Sequence, residues 1–205
     1  RVYTLLSSLR FVGSVRSVIE TAYKYIKAVV DKVSELSGDF IPEIAIVLGS
    51  GLGKFADNIK VFSSVKYSNI DGFPVSTVSG HEGRFIFGEI SGKKIAAMQG
   101  RVHYYEGYEM HDVVLPIRIM RIMGAGKLIL TNAAGGINQS FSAGDLMLIT
   151  GQISQFVPSP LIGPNIDELG PRFPDMSDIY TKRLRDIAHE SADKLAYLLN
   201  RAYMY

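Results

Sequence analysis

The chain has no cysteine. That excludes a disulfide framework, a thiolate nucleophile and a cysteine-ligated metal, and it favours a reducing compartment. Long apolar runs are also missing: none approaches the roughly 20 residues that a membrane-spanning helix needs. Neither sign of charge predominates, with 22 Lys and Arg against 20 Asp and Glu for a formal net charge of +2. There is no general electrostatic case for nucleic acid or a membrane surface, and neither is expected as a partner. Histidines are few, and His81, His103, His111 and His189 show no short metal-ligand spacing with carboxylates, so no metal is expected. Internal repeats, low-complexity stretches and linker-like segments are absent from the sequence.

What is present suits a folded domain: 205 residues, 47% hydrophobic and 20% charged, enough for one substantial core. The start of the chain stands apart. Arg1, Arg10 and Arg16 alternate with Ser7, Ser8, Ser14 and Ser17, and no acid precedes Glu20. Organellar transit segments have this composition, and so does a short basic amphipathic helix on a domain surface. Residues 1–16 are read as an N-terminal extension without an assigned role. The cytoplasm is the expected compartment, with organellar import as the alternative.

Helix and strand signals then alternate. Ala22, Ile26, Val29, Val30, Val33 and Leu36 keep helical spacing, Gly38 and Pro42 mark the exit, and Ile44 to Leu48 reads as a fully buried strand. Val61 to Tyr67 is a weaker strand candidate. Phe85 to Ile90 and Lys94 to Met98 flank Ser91-Gly92, a hairpin signal. A helix is expected from about Met110 to Met123, ended or kinked by Pro116. Strands at Lys127 to Thr131 and Asp145 to Ile149 follow, then an amphipathic helix from Tyr180 to Leu199 and a strand starting at Ala202. The pattern is α/β, a single domain with a central mixed sheet flanked by helices.

Glycine collects just past these strands. Gly49-Ser50-Gly51-Leu52-Gly53 follows the first, Gln99 to Gly107 follows another, and Asn132-Ala133-Ala134-Gly135-Gly136 a third. The GSGLG spacing, GxGxG, does not place the third glycine at the offset of a dinucleotide fingerprint, and the nearest acid in range, Asp71, sits in a turn-like segment. Phosphate therefore ranks above a dinucleotide, and a tight turn without ligand remains open. Ser50 adds a hydroxyl donor beside backbone amides. Arg101 offers a planar fork for two phosphate oxygens, and His103 shares its face if the segment is extended. Upstream, Gly80-His81-Glu82-Gly83-Arg84 supplies a second histidine and arginine. Tyr104 and Tyr105 offer aromatic faces and hydroxyls for a sugar, or simply pack.

In this order, GSGLG, GHEGRFIFG, QGRVHYYEGY, TNAAGGIN with GDLMLI, and PLIGPN with RFPDMSDIY resemble the low-molecular-mass, trimeric purine nucleoside phosphorylases of the nucleoside phosphorylase superfamily. The resemblance runs from about Ser17 to the end, so residues 17–205 are read as that family's domain. It implies a phosphate site of Ser50, His81, Arg101, His103 and the Ala133 amide, with His103 as the catalytic candidate. Tyr105 matches the family's ribose-contacting tyrosine. Phe173 matches the phenylalanine that reaches over a neighbouring subunit's ribose, which implies a homotrimer.

The implied activity is phosphorolysis of purine ribonucleosides and deoxyribonucleosides, with inorganic phosphate as co-substrate and no cofactor. The family's DHIN appears as Gly151-Gln152-Ile153-Ser154, and a family loop is shortened around Phe156-Val157-Pro158. The family's GPSYET-type loop, methionine-serine segment and base-stabilising asparagine are not among these 205 residues. The domain is therefore expected to be C-terminally incomplete, with most of a phosphate site and no base site. Two alternatives follow: a truncated phosphate-binding or interaction homologue without turnover, or a methylthioadenosine phosphorylase.

Overall fold

Ile44–Leu48 (β1) is apolar at every position because it lies inside a sheet covered on both faces. Ala45 and Val47 point into one buried cluster, Ile46 and Leu48 into another. In this computed structural model, which describes residues 22–76, 82–197 and 199–204, β1 belongs to a five-stranded mixed sheet. The other strands are β2 (Lys60–Lys66), β3 (Arg84–Ile90), β4 (Lys93–Gln99) and β5 (Lys127–Leu130), in the order β2-β3-β4-β1-β5. β1 pairs in parallel with β4 and β5, while β2, β3 and β4 are antiparallel neighbours.

Two helices cover one face. The first, α1 over residues 22–37, buries Ile26, Val29, Val30 and Val33, the expected spacing. Gly38 (φ 71) and Asp39 (φ 54) turn the chain out of it. The second, α2 (Met110–Ile122), is the crossover between parallel β4 and β5 and buries Leu115, Ile119 and Met120. Tyr67, Phe73, Phe85 and Phe87 join this cluster, with ring centroids 4.8 to 6.0 Å apart along the chain of contacts. On the opposite face Ala56 and Ile59, from and just after the 3-10 turn Gly53–Asn58, cover Ile46, Leu48 and Ala97. The result is an α/β fold with a mixed sheet flanked by helices.

Pro116 does not end α2. The helix continues to Ile122, and the fully buried proline ring takes part in its apolar face, so packing outweighs the lost backbone donor. The Ser91-Gly92 hairpin forms as expected, both residues at positive φ (48 and 76).

By internal contacts the chain divides into two compact units, Arg1–Ala133 with Ser159–Leu169, and Ala134–Pro158 with Gly170–Tyr205. The second unit contains β6 (Leu146–Gln152), α3 (Lys182–Lys194) and β7 (Leu199–Met204), with β6 and β7 parallel. Here α3 stops short of the expected Leu199. Ala196 sits at φ 57, and Tyr197 N–H returns to the Ala192 carbonyl at 2.9 Å, closing the helix in a Schellman arrangement. Leu199 opens β7 instead, and β6 runs on past Ile149 to Gln152. Among the described residues no helix is long and apolar enough to cross a membrane. The extension at residues 1–16 and the boundary at Ser17 lie outside the described residues.

Candidate functional site

β4, β1 and β5 end level with one another, Leu48 opposite Gln99 and Val47 opposite Leu130. The segments leaving their carboxyl ends begin at Gly100, Gly49 and Thr131. β3 runs the other way and starts at Arg84, opposite Gln99, so the Gly83-Arg84 end of the GHEGR segment reaches the same edge. Ligands of open α/β sheets collect there.

Gly49 is the point of closest approach. A Cβ there would stand 2.4 Å from the Thr131 carbonyl oxygen, so only glycine lets β1 exit against β5. The Gly49 N–H donates to Thr131 Oγ1 at 2.8 Å, and that hydroxyl donates to the Val47 carbonyl at 2.8 Å. Gly51, at φ 83, then turns the chain, and Leu52 N–H returns to the Gly49 carbonyl. Ser50 is exposed on this turn. Among the described residues, the Ser50 and Gly51 amides donate to no backbone carbonyl, the condition for an anion cradle.

Arg101 is half-buried. Its Nη1 donates to the Thr131 carbonyl at 3.0 Å, and its Nε points to His103 Nε2 at 3.4 Å. Burial pulls its pKa below the ordinary arginine value, against a smaller upward pull from Tyr105. A guanidinium remains charged at neutral pH regardless. Because His103 Nε2 accepts from Arg101, the ring proton sits on Nδ1, 2.9 Å from Glu106 Oε1. The same carboxylate oxygen accepts the His103 backbone N–H at 2.8 Å, and Oε2 accepts the Ser76 hydroxyl at 3.0 Å. The His103 ring stacks on Tyr105, centroids 4.7 Å apart and planes 17° apart, and Tyr105 is 75% exposed. Below the loop, the buried Tyr67 hydroxyl donates to the Gly100 carbonyl at 2.8 Å and anchors the exit from β4.

Ser50, Arg101, His103, Tyr105 and Ala133 are thus all on loops at one sheet edge, with Ala133 exposed two residues after Thr131. His81 lies outside the described residues. Phe173 belongs to the second unit, where its ring is 87% exposed with the Arg172 guanidinium 5.9 Å from the centroid.

Three linking residues escaped sequence reasoning. Glu106 orients His103, Thr131 ties Gly49 to Arg101, and Gln99 accepts Arg84 Nε at 2.8 Å while donating to the Gly53 carbonyl at 3.1 Å. Only Glu106 had a local signal, the three-residue spacing of a capping box from His103. A cavity of about 180 Å³ lined by Ala45, Ile117, Arg121 and Lys127 lies at the opposite ends of β1 and β5, away from these groups.

Purine nucleoside phosphorylase 1 of Geobacillus stearothermophilus is 51% identical to this chain over 154 residues, which are 75% of the chain and 56% of that protein. Two solved structures from Schistosoma mansoni are similar in fold. Purine nucleoside phosphorylase in complex with inosine matches with TM-score 0.81 and 38% identity, over 88% of this chain and 64% of that one. Its isoform 2, in complex with cytosine and ribose-1-phosphate, matches with TM-score 0.82 and 40% identity, over 89% and 66%. The chain spans little more than half the length of the relatives it matches in sequence. The phosphorylase superfamily pattern matches residues 43–202, across the glycine turn, the Arg101-His103 loop and Ala133, and the chain belongs to that superfamily.

Proposed function

We propose that the protein catalyses phosphorolysis of purine ribonucleosides and 2′-deoxyribonucleosides by inorganic phosphate, releasing free base and pentose 1-phosphate. The observation that carries this reading is the oriented pair at the sheet edge: Arg101 and His103 in contact, with Glu106 locking the histidine ring. A phosphate oxygen attacks the anomeric carbon, the bond from that carbon to the purine nitrogen breaks, and its electron pair leaves with the base, which takes up a proton. The sugar passes through an oxocarbenium-like state, so phosphate needs positioning more than activation, and its charge stabilises the cationic carbon.

In this scheme the Ser50 and Gly51 amides, the Ser50 hydroxyl, the Ala133 amide and Arg101 hold the phosphate oxygens. His81 would complete the phosphate contacts. Arg101 Nε turns from His103 Nε2 to a phosphate oxygen, and Nε2, with the Nδ1 proton held by Glu106, then accepts a phosphate proton. Tyr105, exposed and stacked on His103, supplies a face for the ribose. The exposure of Phe173 supports a role over the ribose of a neighbouring subunit in a homotrimer, and cytoplasmic nucleoside salvage is the setting we propose. The test is incubation of the intact natural protein with inosine and phosphate. Hypoxanthine and ribose 1-phosphate are expected in equal amounts, and release of neither at high enzyme would sink the proposal.

A further inference from the structure

We infer that Thr131 is a positioning residue that sets the phosphate affinity of the site, a conclusion that rests on the phosphate-binding reading above. Its backbone and side chain meet all three loops at the sheet edge. Oγ1 accepts the Gly49 N–H at 2.8 Å, which ends the β1 ladder at that residue and so positions the Ser50-Gly51 turn at the crevice beyond the strand ends. The hydroxyl proton is committed to the Val47 carbonyl at 2.8 Å, which fixes the lone pair that faces Gly49. Its carbonyl holds Arg101 Nη1 at 3.0 Å and so sets the height of the guanidinium over the same crevice. Two residues on is Ala133, whose amide faces the anion in the proposed scheme. The contact is tight, since the Thr131 carbonyl lies where a Gly49 side chain would begin. One residue therefore sets the distances among the glycine turn, Arg101 and Ala133.

The hydroxyl has a separable task. The Val47 carbonyl also accepts the Thr131 backbone N–H at 3.1 Å, so it keeps a donor when the hydroxyl is removed. Gly49 N–H has no such reserve: without Oγ1 it must turn to seek another acceptor, and the Ser50-Gly51 turn moves with it. Arg101, held by the carbonyl, stays in place. Loss of the hydroxyl is thus expected to loosen the amide half of the cradle and leave the guanidinium half.

The experiment compares Thr131→Val, Thr131→Ser and Arg101→Ala in the intact natural protein. Phosphate dissociation constants come from calorimetry with inorganic phosphate alone, KM values from phosphate and inosine titrations, and melting temperatures from each variant. Thr131→Val is expected to weaken phosphate about five- to tenfold, the worth of one well-placed hydrogen bond, with the inosine KM unchanged. Thr131→Ser, which keeps the hydroxyl, is expected to restore wild-type phosphate affinity. A lower melting temperature with unchanged phosphate affinity in Thr131→Val would make the residue merely structural and overturn the inference. Failure of serine to rescue would overturn it too, since the methyl rather than the hydroxyl would then matter. If Arg101→Ala weakens phosphate while Thr131→Val does not, only this inference fails. If neither variant changes phosphate binding, the reading of the site fails with it.

Discussion

Glu106 is the residue whose replacement best separates orientation from charge. Its side chain is only 3% exposed, and three donors converge on the carboxylate: the His103 amide at 2.8 Å, His103 Nδ1 at 2.9 Å and the Ser76 hydroxyl at 3.0 Å. Glu106→Ala removes the acceptor of all three. At about 1 kcal/mol for each hydrogen bond, the loss is about 3 kcal/mol, or a fall in melting temperature of roughly 6 to 12 °C for a chain of this size. The histidine also loses the group that fixes its ring proton, and kcat/KM for phosphate should fall about 100-fold or more, the lower range for a displaced proton-transfer group. Glu106→Gln behaves differently. Its amide oxygen still accepts both His103 donors and its NH2 can donate to Ser76 Oγ, so the geometry survives. What disappears is the charge assistance, about 1 kcal/mol, which corresponds to about a fivefold fall in kcat/KM. Steady-state kinetics at saturating inosine, with thermal melts of the same samples, distinguish the cases. Wild-type kinetics in Glu106→Ala, despite a lower melting temperature, would refute the orienting role. A loss in Glu106→Gln as deep as in Glu106→Ala would show that charge, not orientation, is what the carboxylate contributes.

Other substitutions probe the scaffold around that pair. Gly49→Ala places a methyl 2.4 Å from the Thr131 carbonyl, and the strand ends must separate; a destabilisation of about 1 to 3 kcal/mol is expected in urea melts, with weakened phosphate binding. Unchanged stability would mean that β1 and β5 tolerate a wider exit. Tyr67→Phe loses the bond to the Gly100 carbonyl, about 1 kcal/mol. Burial also raises the Tyr67 pKa, so ionisation is easier in the unfolded chain. The stability held by the neutral hydroxyl is fully present below about pH 10 and is lost as pH rises beyond it. Tyr67→Phe should therefore flatten alkaline unfolding above about pH 10, and an unchanged alkaline limb would remove Tyr67 as its source. Phe173→Ala should raise the inosine KM and leave phosphate binding alone, and sedimentation of the wild-type protein as a monomer during turnover would remove the cross-subunit role.

The legibility of the fold followed burial. β1 and the hairpin of β3 and β4 were readable because their central positions are buried and the turn that joins β3 to β4 admits few residue types. The same holds for α1, whose four buried positions repeat at helical spacing. Where burial is partial, periodicity misleads. Leu184 and Ile187 on α3 are 37% and 46% exposed, so the apolar stripe that suggested a helix to Leu199 was not anchored by a core. The helix end was decided instead by backbone closure at Ala196, an alanine in a conformation usually left to glycine. At Pro116 the helix does not end, because a rule about one lost hydrogen bond could not weigh a fully buried ring.

At the site, residue types announce chemistry and strand register assembles it. Ser50, Arg101, His103 and Tyr105 stand out in sequence because serine, arginine, histidine and tyrosine beside glycine carry donors and charge that a turn alone does not require. Thr131 and Gln99 do not stand out, since either would serve as an ordinary strand residue. Their roles exist only because β5 ends level with β1 and β1 with β4, a register held by the parallel backbone ladders between these strands. A single-residue slip of β5 would turn the Thr131 hydroxyl to the other face of the sheet, away from Gly49, and displace the carbonyl that holds Arg101. The hydrogen-bonded register of β1 and β5 therefore controls anion geometry at the strand ends.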